Sequence, residues 1–71
     1  MDEKKLKLMK LLEHWVKHNE EHGERFREAS TEAEKMGLIN SSKELQKAYL
    51  KTTEVSTHLR SALSQIEENS G

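Results

Sequence analysis

An all-α fold, an antiparallel helical hairpin of two long helices, is what this chain predicts, and three observations predict it. Proline is absent and glycine occurs only at positions 23, 37 and 71, while Leu, Lys, Glu and Ala, all good helix formers, dominate. Polar and apolar residues recur at helical spacing. One stripe runs Leu8, Leu12, Trp15, Asn19, His22, Phe26, Ala29, Ala33, Met36, and a second runs Leu45, Ala48, Thr52, Val55, Leu59, Ala62, Ile66. Their steps of three and four residues mark two helix faces. Only Gly37-Leu38-Ile39-Asn40-Ser41 separates them, too short a link for anything but an antiparallel return.

Residues 1–71 therefore read as a single helical domain. Helix one is expected over about residues 3–36. Gly23 costs about 1 kcal/mol relative to Ala in a helix interior, and Ser30 or Thr31, with Glu34 three after Thr31, could cap a separate short helix. The alternative is thus a three-helix bundle with a break near 23 or 30. The stripe keeps its phase through both points, which favours one long helix. The turn is placed at 37–41, where Gly37 suits the left-handed position that ends a helix. Ser41 with Glu44 forms a capping box for helix two, about 42–67, beyond which the tail should fray.

Composition bounds the function. A core of 71 residues rarely supplies more than about 3–5 kcal/mol, so chains of this size usually need a disulfide, a metal or a partner. Cysteine is absent, which excludes disulfides and thiolate sites. Near the N-terminus Leu6, Leu8, Met9, Leu11, Leu12, Trp15 and Val16 cover more than half the helix circumference, more than one partner helix can bury. A homodimer, two hairpins forming a four-helix bundle, is the expectation, with Leu8, Leu11, Leu12 and Trp15 at its interface. Net charge is −1, without the basic stripe that nucleic-acid binding needs. No run approaches the roughly 20 apolar residues of a membrane span. Met1-Asp2-Glu3-Lys4-Lys5 is not followed by the apolar region of a secretory signal. No nucleic-acid or membrane partner and a cytoplasmic location are expected. A non-catalytic chain is also expected, since it has no Gly-rich phosphate loop and no serine in a nucleophile elbow. Nor does it pair Glu-x-x-His motifs as a di-iron site would.

The histidines are the chemically distinctive residues. His14, His18 and His22 stand at i, i+4 and i+8, one per turn on one side of a helix. Taking about 100° per residue, His22 falls about 40° from the stripe centre, His18 about 80° and His14 about 120°. On helix two His58 falls roughly 80° off its stripe, towards the same flank. With the turn centred near residue 39, His58 sits opposite position 20, about 3 Å along the axis from His18 and His22. His18, His22 and His58 are accordingly the candidate ligands of a zinc, nickel or cobalt ion. His14, Asn19 and Glu54 are supporting residues, and Glu21 is a further oxygen donor. Histidines at the edge of a helical interface also serve as half-buried polar residues, and Asn19 in a stripe position suits a register-fixing role. Clustered imidazoles could also sense pH, loosening the bundle when protonated.

The run His14, Trp15, His18, Asn19, His22 resembles a small uncharacterised helical domain of prokaryotes. Its pattern is His-Trp-x-x-His-Asn-x-x-His, and it occurs alone or fused behind cobalt or nickel sirohydrochlorin chelatases. The likeness covers about a dozen residues; His58 has no counterpart in it. It implies handling of nickel or cobalt near tetrapyrrole metallation, with a metallochelatase or other metalloprotein as partner. It does not imply chelatase activity, because the catalytic domain is missing. Two functions follow as expectations: a small metal-binding, metal-handling helical protein, or a non-catalytic interaction and dimerisation module with structural histidines.

Overall fold

The computed structural model describes residues 2–68 and is a hairpin of two long helices, α1 (Glu3–Lys35) and α2 (Ile39–Glu68). No strand occurs among the described residues. Asp2 caps α1, its carboxylate accepting from the Lys4 amide at 3.0 Å. α1 runs unbroken through Gly23 and Ser30, so the three-helix alternative is not adopted.

A three-residue turn joins the helices. Gly37 takes φ +79°, the left-handed conformation that glycine alone adopts without strain. Its N–H donates to the Glu34 carbonyl at 3.0 Å, and the Leu38 N–H donates to that of Ala33 at 2.8 Å. These are the paired bonds of a Schellman motif. α2 begins at Ile39 rather than near residue 42, so Ser41 stands inside the first turn and is not its cap. The turn accordingly centres near residue 37, not 39. That tighter turn shifts the register of everything beyond it.

The packed seam keeps every second position of the expected stripes and moves the others by one residue. Its buried or half-buried positions are Met9, Leu12, Val16, Asn19, Gly23, Phe26, Ser30 and Ala33 on α1. On α2 they are Ser42, Leu45, Tyr49, Thr52, Ser56, Leu59, Leu63 and Ile66, with Ala48 also half-buried beside Tyr49 and Lys5 half-buried near the start of α1. The two seam runs alternate three- and four-residue steps. Leu8, Trp15, His22 and Ala29 thus yield the seam to Met9, Val16, Gly23 and Ser30, and Val55 yields to Ser56. At the crossing, where His22 gives way to Gly23 and Val55 to Ser56, the physical reason is size: a Cβ on Gly23 would lie 2.5 Å from Thr52 Oγ1. No indole or imidazole fits at such a crossing.

Hydroxyl and amide groups hold this close approach. Ser30 Oγ donates to the Ser42 carbonyl at 3.1 Å, and Ser42 Oγ donates to the Ser30 carbonyl at 2.9 Å. The Asn19 amide donates to the Thr52 carbonyl at 2.6 Å and to Ser56 Oγ at 2.9 Å. Among the described residues no buried side-chain polar atom lacks a partner, as burial of polar groups requires. The apolar core is correspondingly thin, with Leu12, Val16 and Ala33 its fully buried members. Leu12, expected at an interface between copies, is 6% exposed and belongs to the hairpin's own seam. The molecule is a rod of 54 × 14 × 11 Å. None of its described helices is long and apolar enough to cross a membrane.

Candidate functional site

The rotation of the seam, about 50° on α1, creates two unlike faces. One carries Leu8, Leu11, Trp15, His18 and His22 from α1 with Val55 from α2. Trp15, His18, Asn19, His22, Val55 and Leu59 line an open depression of about 360 Å³ on it. The other face is polar. There Glu20 and Arg60 form an ion pair across the hairpin, beside a groove of about 340 Å³ floored by Gly23 and Thr52.

On the first face the imidazoles form a ladder. The ring centroids of His14 and His18 are 5.8 Å apart with planes 18° from parallel. Those of His18 and His22 are 4.6 Å apart, edge to face at 69°. His22 continues to Phe26 at 6.3 Å. All three histidines are exposed. Their alignment is a direct product of helical spacing, since i and i+4 side chains stack on one face. His18, Glu21, His22 and Arg25 also enclose a small recess of about 40 Å³.

The 4.6 Å separation has chemical meaning. With metal–nitrogen bonds of about 2.0–2.1 Å, two imidazoles on one tetrahedral ion place their ring centroids about 5 Å apart. An i, i+4 histidine pair on a helix is an established way to supply two metal ligands. The His18 and His22 centroids stand at a separation of that order.

His58 does not join them. Asn19 lies opposite the Thr52–Ser56 turn and Ser30 opposite Ser42, so the level of His58 falls near Trp15 and Val16. That is about one helical turn, 5.4 Å, from the position that a looser turn would give. Measured from the true seam, His58 also lies about 140° around α2, at its outer edge, while His22 lies about 90° and His18 about 130° around α1. His58 lines neither the depression nor the recess. Among the described residues no three His, Cys, Asp or Glu gather into a group that could hold a metal ion.

The supporting residues sort in the same way. Asn19 directs its amide at α2, so its donors pin the register of the hairpin instead of orienting an imidazole. Glu54 pairs with Lys51 at 3.4 Å on the surface. His14 ends the ladder towards the N-terminus. Elsewhere on the surface Arg27 holds the Glu24 carboxyl below its usual range through a hydrogen bond, and the guanidinium rises in turn. Ser30, Ser42 and Ser56, which build the seam, left no signal in an apolar-stripe reading; small residues at heptad spacing, Gly23 with Ser30 on α1 and Ser42 with Ser56 two heptads apart on α2, are the pattern that marks them.

No curated protein and no solved structure matches the chain. One family does, over residues 8–66, a span that takes in both helices, the turn and the histidine ladder. The chain belongs to that family, described as Domain of unknown function (DUF8180).

Proposed function

We propose that this chain is a transition-metal-binding hairpin in which His18 and His22 are the protein ligands. The observation that carries the reading is the 4.6 Å approach of the two imidazoles on an exposed helix face. Imidazole nitrogen suits zinc, nickel and cobalt. His14 stands one turn away as a replacement ligand during exchange, and Glu21 beside the recess offers an oxygen donor. The likeness of His14–His22 to a domain fused to chelatases adds a purpose, delivery of nickel or cobalt to a metallochelatase.

Titration of chelator-stripped protein with Zn²⁺, Ni²⁺ and Co²⁺, followed by histidine ring NMR and thermal midpoint, tests this. His18 and His22 signals should move together while those of His58 stay. At a hundredfold excess over Kd, binding to the folded state adds about 2.7 kcal/mol of stability, a gain that His18→Ala or His22→Ala removes. Unmoved ring signals would end the metal reading. The exposed Leu8, Leu11, Trp15 and Val55 face would then favour a dimerisation module with structural histidines.

A further inference from the structure

A two-ligand site is incomplete: structural zinc takes four protein ligands and catalytic zinc three. The histidine pair also sits within an apolar surface that the hairpin leaves uncovered. Leu8 is 45% exposed, Leu11 41%, Trp15 45% and Val55 48%. The chain exposes 5601 Å², against about 4,600 Å² for a typical folded monomer of its mass. The excess of about 1,000 Å², to which the rod shape itself contributes, leaves room for the roughly 800 Å² that each partner of a standard interface loses.

We propose that a second copy of this chain covers the Leu8–Trp15–Val55 face and completes the metal site, its own His18 and His22 supplying the missing ligands. The occupant follows from where the ligands lie. α1 spans Glu3–Lys35, so its midpoint is residue 19, between His18 and His22. Two hairpins that overlap fully can be related by a two-fold axis across the rod or along it. An axis across the rod passes through the midpoint and sets His18 of one copy about two residues, 3 Å, from the level of His22 of the other. An axis along the rod keeps every residue level with its own equivalent. Either way the two histidine pairs come level, their midpoints within about 3 Å along the axis, and the surrounding leucine, tryptophan and valine side chains exclude water. No other partner is required by symmetry to bring a second pair of imidazoles to the same height.

This inference rests on the metal reading above, and its test separates the two. Sedimentation equilibrium of the full chain in chelator should give twice the 8.3 kDa mass, and metal titration should saturate at one ion per two chains. Trp15→Glu, or Val55→Lys on the other helix, should halve the mass and weaken metal binding at least tenfold while far-ultraviolet circular dichroism stays helical. Thr57→Lys, on the polar face, should change neither. Saturation at one ion per monomeric chain would overturn the shared site and leave the His18–His22 pair as a binding unit. A dimer split by Trp15→Glu that binds no metal would overturn the shared site through failure of the metal reading itself. Should Trp15→Glu lose helicity, Val55→Lys decides, and a Val55→Lys chain that remains a dimer would overturn the docking face.

Discussion

At the scale of single residues, Gly23 is the position on which the hairpin closes. Alanine there gains about 1 kcal/mol of helix propensity, yet its Cβ would meet the short, β-branched Thr52 at 2.5 Å. The clash should win, and Gly23→Ala should lower the chemical-denaturation midpoint. Adding Thr52→Ala should restore it, leaving a coupling energy of at least about 0.5 kcal/mol in a double-mutant cycle. Strict additivity of the two changes would show that the helices do not touch there. Asn19→Leu should cost about 1–3 kcal/mol, since it removes both hydrogen bonds that the Asn19 amide donates across the seam, to the Thr52 carbonyl and the Ser56 hydroxyl. The Glu24–Arg27 pair works on the surface of a single helix. Its lowered carboxyl contributes stability that is present above the ordinary carboxylate range. That contribution is lost as pH falls through the lowered value.

At the scale of elements, the two helices and the turn were legible from spacing, propensity and glycine placement, because those rules act locally. The rotation of each helix was not. Hydropathy ranks Trp15 and Val55 above Gly23 and Ser56 for burial, whereas the helix crossing selects for size and for hydroxyls that can bond reciprocally. The rotation is about 50°, half the angle between successive residues, enough to carry His22 from about 40° to about 90° off the seam, from the edge of the core to an open face. The register differs for a related reason: Ser41 and Glu44 match a capping box, but the Schellman bonds from Gly37 and Leu38 close α1 in a tight turn and α2 starts earlier. That difference of about one turn separates His58 from His18 and His22. Convergence between helices depends on a turn geometry that sequence spacing alone did not resolve. Gly37→Ala probes the turn directly. Nothing lies within 4 Å of the added Cβ, so the cost is purely that of the left-handed backbone, about 1–2 kcal/mol by thermal or denaturant unfolding.

At the scale of the whole molecule, the buried apolar residues among those described, Leu12, Val16 and Ala33, make a core too thin to hold the hairpin folded with a wide margin. Stability should therefore depend on protein concentration, as it does when folding and association are one process. A thermal midpoint that is independent of concentration would argue against a partner copy. On the proposed metal reading, metal binding should weaken as pH falls, because imidazoles must be deprotonated to ligate, and protons released on metal addition below neutral pH can be counted in weak buffer.

The rod shape has a hydrodynamic consequence. The radius of gyration is 16.2 Å, where a compact chain of this length would have about 11 Å. A lone hairpin will elute from a sizing column ahead of globular standards and can pass for a heavier species. Side-by-side pairing thickens the rod without lengthening it. Small-angle scattering should thus show forward intensity doubling on association while the radius of gyration barely changes, a signature that elution volume alone would miss.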